Sequence, residues 1–227
     1  MSRLALRTPV VVVNFKTYLG VCGGAGLALA RLCEEAANET GRSVAIAPQG
    51  CDLALFAREV KIPVFAQHVE NVPQGATTGF LTPESVKAAG CAGTLLNHSE
   101  HRIRADQAEE TVARCKTTGL TTIVCTNTIG VSKAYAHFEP DFIAIEPPEL
   151  IGGDISVTTA NPKIVSWTVE SVKHISPKVK VLCGAGVKNG ADVKKALELG
   201  AEGVLLASGV VKAKDPKAVM VEMLRAL

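Results

Sequence analysis

The chain has 227 residues, 47% of them hydrophobic, which suits a single domain over residues 1–227 and is marginal for two. The net charge is +2 with dispersed Lys and Arg, so the composition excludes the basic stripe of a nucleic-acid-binding protein. No apolar run has the length of a membrane span, and no signal-peptide pattern precedes Val10. These features predict a cytoplasmic protein that acts on a small soluble molecule.

The seven cysteines show no C-x-x-C pair, and the histidines have no metal-ligand spacing. This pattern predicts buried thiols in a reducing compartment and no metal site.

Eight apolar runs of strand length follow one another along the chain, and most are continuous rather than alternating, as in parallel strands covered on both faces. They are Val10–Asn14, Val44–Ala47, Val64–Gln67, Thr94–Asn97, Thr122–Cys125, Phe142–Glu146, Val179–Cys183 and Gly203–Ala207. Helical segments are predicted between them. Thr82, Asn161 and Asp215 each precede a proline as helix caps, and Asp106 with Glu109 has capping-box spacing.

Strict strand–helix alternation repeated eight times predicts a closed (β/α)8 barrel. The competing architecture is an open doubly wound sheet, but no G-x-G-x-x-G follows the first strand. Only residues 126 to 141 separate strands five and six, so the fifth helical unit should be shortened, with a helix near residues 131 to 137.

Active-site side chains of such barrels lie at the C-terminal strand ends. Glu146 ends an apolar strand, where burial of an unpaired carboxylate is costly; the alternative is a solvated rim or capping carboxylate. His98 follows strand four, Asn14 ends strand one and Lys16 follows it, although a lone histidine or lysine is often only structural. A carboxylate base with nearby donors suits proton transfer next to a carbonyl, which requires no organic cofactor.

Small-residue turns follow strands seven and eight, at Gly184-Ala185-Gly186 and Ala207-Ser208-Gly209. Backbone N–H groups in such turns commonly bind phosphate, although small residues also simply allow a tight turn to close. After Glu146, prolines and glycines flank an apolar segment that has the composition of a hinged lid.

Four motifs resemble the triosephosphate isomerase family in its short archaeal form, and they appear in the family's order. They are Asn14-Phe15-Lys16-Thr17-Tyr18, Asn97-His98-Ser99-Glu100, Ala144-Ile145-Glu146-Pro147-Pro148-Glu149-Leu150-Ile151-Gly152 and Val204-Leu205-Leu206-Ala207-Ser208-Gly209. The resemblance covers the whole chain. It implies a TIM barrel that interconverts dihydroxyacetone phosphate and D-glyceraldehyde 3-phosphate without a cofactor.

The resemblance also implies a role for each matching residue. Glu146 would be the base, His98 a neutral electrophile, and Lys16 the substrate lysine, supported by Asn14 and Glu100. The phosphate would meet the N–H groups of Gly152, Gly186, Ala207 and Ser208. The lid would comprise Pro147, Pro148, Glu149, Leu150, Ile151, Gly153 and Asp154, of which Asp154 departs from the family's usual glycine.

Self-association follows from the same resemblance. The segment 75–80 resembles a family loop that reaches into a neighbouring subunit, where Thr78 would contact the region of Asn14 and Glu100. A homodimer is the minimum, and the short fifth unit favours a homotetramer. The alternatives are another phosphate-binding barrel, such as a pentose-phosphate epimerase, and a non-catalytic barrel scaffold.

Overall fold

The computed structural model describes residues 6–147, 158 and 161–227. Eight parallel strands alternate with helices along the described chain. The strands are β1 Val10–Asn14, β2 Ser43–Ala47, β3 Phe65–Ala66, β4 Gly93–Leu96, β5 Thr121–Thr126, β6 Phe142–Ile145, β7 Lys180–Cys183 and β8 Gly203–Leu206. The helices are α1 Gly23–Thr40, α2 Leu53–Glu59, α3 Pro83–Ala88, α4 Ala105–Thr118, α5 Ile129–Ala136, α6 Pro162–Ile175, α7 Gly190–Glu198, α8 Ser208–Val211 and α9 Pro216–Arg225.

The strands form one ring in the order β2-β1-β8-β7-β6-β5-β4-β3. A parallel bridge between Ile46 and Val64 closes it, with the Ile46 N–H donating to the Pro63 carbonyl over 3.0 Å. The predicted closed (β/α)8 barrel is therefore confirmed, and the open sheet is wrong.

Two hydrophobic cores lie on opposite faces of the barrel wall, because alternate residues of each strand point to opposite sides. Val10 and Val12 of β1 belong to the core inside the barrel, whereas Val11 and Val13 belong to the core between strands and helices. All four are fully buried. This explains why the strands read as continuous apolar runs instead of alternating ones.

Helix ends follow local capping chemistry in most places. The Thr82 hydroxyl accepts from the Ser85 N–H, and the Asp215 carboxylate accepts from the Ala218 N–H, as predicted. The capping box at Asp106 is wrong: α4 begins at Ala105, and Asp106 lies inside its first turn with both carboxylate oxygens bonded to Arg104. Asn161 precedes α6 without capping it through a side-chain hydrogen bond.

The fifth helical unit is short, as predicted, with 8 residues in α5 against 14 in both α4 and α6. Its N-cap is Thr128, whose hydroxyl accepts from the Val131 N–H over 3.1 Å. No helix among the residues described is both long and apolar enough to cross a lipid bilayer.

Candidate active site

A cavity opens at the C-terminal ends of β1, β4, β6, β7 and β8. It gathers seven of the residues that the sequence singled out. These are Asn14, Lys16, His98, Glu146, Gly186, Ala207 and Ser208. Among the predicted lid residues, Pro147 is described and buried, while residues 148–154, which include the predicted phosphate contact Gly152, lie outside the described part.

Glu146 follows β6 directly and is only 3% exposed. Its N–H donates to the Thr126 carbonyl over 2.7 Å. Burial raises the pKa of the carboxyl to about 7, although the Cys125 thiol, Lys16 and Arg102 oppose this rise. A carboxyl with this pKa can both accept and release a proton near neutral pH.

Gly184, just after β7, leaves the space that the Glu146 side chain occupies. A Cβ at Gly184 would lie 2.5 Å from Cγ of Glu146 and 3.2 Å from its Oε1. The Gly184 N–H donates to the Ile145 carbonyl over 3.0 Å, so the glycine backbone is fixed to the strand that ends at Glu146. The absence of a side chain at Gly184 therefore permits the observed position of the carboxylate.

His98 is held in one neutral tautomer. Its Nδ1 accepts from the Glu100 backbone N–H over 3.2 Å, which leaves the proton on Nε2. Burial, together with the cations Lys16 and Arg102, lowers the pKa of His98 to about 4, while Glu100 opposes the effect. Nε2 lies 3.6 Å from Oε1 of Glu146, and because the imidazole is neutral at pH 7 this contact is not an ion pair.

The turn before His98 is strained. Asn97 has a φ of +56°, a left-handed conformation that is uncommon outside glycine. Its amide stabilises this conformation by donating to the Cys125 carbonyl over 2.9 Å and accepting from the Ile103 N–H over 3.1 Å. These bonds turn the chain so that His98 faces the cavity.

Lys16 also adopts a left-handed conformation, with a φ of +50°. Its N–H donates to Oδ1 of Asn14 over 2.9 Å, and its carbonyl accepts from the Gln67 amide over 3.0 Å. The ammonium forms a 2.8 Å ion pair with Glu100 and is 14% exposed at the side chain. Asn14 thus orients the backbone of Lys16, and Glu100 holds its side chain from outside the cavity.

Part of the cavity wall is built from the turns after β7 and β8. Gly186, Ala207 and Ser208 lie there, as the sequence predicted, and Lys188 adds a residue that the sequence analysis did not single out. The turn at Lys188 is fixed because its N–H donates to the Asp192 carboxylate over 2.9 Å. The wall combines small residues with a lysine, a combination suited to an anion.

A family model described as triosephosphate isomerase matches residues 9–227. A triosephosphate isomerase of Methanocaldococcus jannaschii is 50% identical over 216 residues, which are 95% of this chain and 99% of that protein. The triosephosphate isomerase of Methanobacterium bryantii is 49% identical, over 95% of this chain and 96% of the relative. That of Methanosarcina barkeri is 46% identical, over 96% and 98%.

This chain belongs to the triosephosphate isomerase family. The resemblance to the short archaeal form is confirmed, since all three relatives come from archaea.

Two other features of this family member came only from the structure. Cys125 contacts the Glu146 carboxylate, and Gly184 makes room for it, but a cysteine or glycine in a strand or turn gives no sequence signal of such a contact.

The stretch Thr126-Asn127-Thr128 has a structural role. The Thr126 hydroxyl bonds to Ser132 over 2.7 Å, and Thr128 caps α5, so the stretch ties the short helix to β5.

A second cavity lies on the outer side of Lys16. Gln67, His68, Glu100 and His101 line it, and the two imidazole rings stack with centroids 4.0 Å apart. Burial and the neighbouring His101 lower the pKa of His68 to about 4. Among the described residues, no group of three or more His, Cys, Asp or Glu side chains is placed to bind a metal ion.

Proposed function

We propose that this chain interconverts dihydroxyacetone phosphate and D-glyceraldehyde 3-phosphate by proton transfer through an enediolate. One observation carries the proposal. A buried carboxyl with a pKa of about 7 faces a neutral imidazole across 3.6 Å in the same cavity as a lysine. Removal of a proton from carbon requires this pairing of a base with donors for the developing oxyanion.

In the proposed reaction, the Glu146 carboxylate removes a proton from the carbon next to the carbonyl and returns it to the neighbouring carbon. Nε2–H of His98 donates to the oxygen on which negative charge develops, and the Lys16 ammonium stabilises the same charge. Because the pKa of His98 is lowered, its imidazole is neutral at pH 7, and a neutral ring is a far weaker acid than an imidazolium. It can therefore donate a hydrogen bond to the enediolate without protonating it irreversibly. Asn14 and Glu100 act by holding Lys16.

The substrate phosphate is proposed to bind the wall formed by Gly186, Ala207 and Ser208, with Gly152 completing the site from the lid. The ammonium of Lys188 adds positive charge to this wall. The lid, residues 147–154, would exclude water so that the enediolate intermediate survives.

A coupled assay tests the activity. The purified chain should convert D-glyceraldehyde 3-phosphate to dihydroxyacetone phosphate, which is detected by its NADH-dependent reduction. Epimerisation of a pentose phosphate with no triose activity would instead support the epimerase alternative. A folded protein inactive on both substrates would support the scaffold.

We further propose a homodimer in which Thr78 enters the second cavity of the partner subunit. The base of the loop that carries Thr78 is rigid: Glu70 and Leu81 exchange backbone and side-chain hydrogen bonds, and Arg114 binds the Val72 carbonyl. Its tip is exposed, including Phe80 at 50%. An ordered stem with an exposed apolar tip is suited to docking, and the second cavity next to Lys16 would receive it.

Light scattering tests this assembly. Thr78→Arg should reduce the particle mass and the activity together, because a large cation at the tip cannot enter the cavity beside His68 and His101. Thr117→Arg places the same charge on the exposed side of α4 and should leave the dimer intact. A fully active wild-type monomer at micromolar concentration would contradict the proposal.

Pairing of dimers into a homotetramer, favoured by the short α5, remains part of the same proposal. The same proposal includes a single domain over residues 1–227, which the chain length supports. It also includes a cytoplasmic location, which the five buried free thiols support.

A further inference from the structure

The expectation that all thiols are buried is wrong at two positions. All seven cysteines lie within the described residues, and five are buried, but Cys22 and Cys51 are exposed. Cys22 lies immediately before α1, and Cys51 lies in the short 3-10 turn at Gly50–Asp52 that follows β2. The two exposed thiols therefore lie at the same end of the barrel, on neighbouring strand–helix connections.

Hydrogen bonds on both sides of Cys51 bring these connections together. The Gln49 amide donates to Sγ of Cys22 over 2.7 Å, and the Gly23 N–H donates to the Asp52 carboxylate over 3.0 Å. The first connection is therefore hydrogen-bonded to the residue before Gly50 and to the residue after Cys51. A disulfide requires two cysteines on adjacent parts of the backbone, and these two contacts hold the two connections side by side. The thiols are close enough for Cys51 to act electrostatically on Cys22.

We propose that Cys22 and Cys51 form a reversible disulfide that joins the connection after β1 to the turn after β2. The two cysteines are 29 positions apart, so the bond would enclose α1 and β2 in one covalent loop. The connection after β1 also carries Lys16, which means that the oxidised form would fasten the segment that holds the lysine of the active site. This modification is independent of the proposed isomerase activity.

The oxidant is a low-molecular-weight disulfide. One cysteine thiolate attacks a sulfur of the oxidant and bonds to it, which gives a mixed disulfide between the protein and one half of the oxidant. The other half leaves as a small thiolate. The second cysteine thiolate then attacks the protein sulfur of that mixed disulfide and displaces the second small thiolate. The two cysteines lose two electrons in total, the oxidant gains them, and the two cysteine protons are taken up by the two small thiols.

The local charges set the pH dependence of this reaction. Local desolvation, the Asp52 carboxylate and Cys51 raise the pKa of the Cys22 thiol above its usual value. Fewer Cys22 thiolates are then present at neutral pH, so the bond should form faster as the pH rises. The intramolecular second step is favoured by the proximity that the two hydrogen bonds enforce.

The test uses the folded wild-type chain incubated with excess oxidised glutathione and then denatured for thiol counting. The proposal predicts a fall from seven free thiols to five, no retained glutathione, and a peptide that links Cys22 to Cys51. Cys51→Ser, treated in the same way, should retain one glutathione on Cys22. Seven free thiols in the wild type, glutathione retained on both cysteines, or a bond between two chains would overturn the proposal.

Thermal unfolding measures the consequence. The oxidised chain should unfold about 5–10 °C above the reduced chain, because the bond restricts the unfolded state. The double variant Cys22→Ser with Cys51→Ser is the matched control and should show the same unfolding temperature with and without glutathione. Equal unfolding temperatures for the two wild-type forms would show that the bond does not hold this segment.

Discussion

Gly184→Ala tests whether the space beside Glu146 is as tight as the structure indicates. The new methyl group would lie 2.5 Å from Cγ of Glu146, whereas unbonded carbon atoms prefer about 3.5–4.0 Å. Relief of this contact requires the side chain to move by about 1 Å. The Gly184 backbone cannot withdraw easily, since its N–H is bonded to the Ile145 carbonyl.

A displacement of about 1 Å in a reacting group can cost about a hundredfold in rate, so kcat/KM should fall by about this factor. The loss should appear mainly in kcat, because the phosphate wall is unchanged. Gly184 is not among the glycines with positive φ, so alanine strains the carboxylate rather than the backbone. The assay is the coupled reaction, with circular dichroism to verify folding.

Two comparisons make this result specific to Glu146. Gly130→Ala in α5 is the matched control: its Cβ would meet only Thr128 at 3.9 Å, and activity should be retained. Glu146→Asp shortens the side chain and relieves the contact, so the additional cost of Gly184→Ala should be small in that background. A Gly184→Ala enzyme within threefold of wild type would refute the reasoning about this contact.

Three further predictions concern protonation. The pKa of Glu146 in the folded protein is about 7, above its ordinary 4.5, so the stability of the wild type falls as pH rises from about 4.5 to 7. Glu146→Gln should not show this fall. At pH 8 its free energy of unfolding, measured in urea, should exceed that of the wild type by about 3 kcal/mol. An equal pH dependence of the two proteins would contradict it. The value of kcat/KM should rise with pH, with an apparent pKa near 7. Cys125→Ala should move this rise to higher pH, because the Cys125 thiol lowers the pKa of Glu146. The titration of the substrate phosphate is the same in the wild-type and variant assays, so it cannot cause the difference. Coincident profiles would exclude this role of the thiol. NMR should find the His98 ring neutral at pH 7, protonated at Nε2, and charged only near pH 4; an imidazolium at pH 7 would exclude it as a neutral donor.

The barrel and most of its site could be predicted from sequence because both depend on local patterns. Continuous valine runs such as Val10–Val13 identify strands with two buried faces, and strand ends then locate Glu146, His98 and Lys16. Polar residues at the ends of apolar strands are rare enough to be noticed. These residues lie far apart along the chain, and the parallel arrangement of the strands brings them into one cavity.

The remaining features depend on contacts between distant residues. Gly184 reads as a turn glycine, and its relation to Glu146 follows only from the register that pairs Ile145 with Cys183. Asp106 has ideal capping spacing, yet α4 begins at Ala105, so Asp106 lies inside the first turn, where its carboxylate bonds to Arg104. The exposure of Cys22 and Cys51 likewise depends on how two connections meet outside the barrel, which their spacing of 29 residues does not reveal.

The most direct test of the central claim is the steady-state activity of Glu146→Gln with D-glyceraldehyde 3-phosphate. Glutamine keeps the size and most of the polarity of the buried group but cannot accept the carbon-bound proton. If Glu146 is the base, kcat should fall by at least about a thousandfold with a much smaller change in KM, since the lost interaction belongs to the transition state. A variant that folds normally and retains a kcat within about tenfold of wild type would contradict the account.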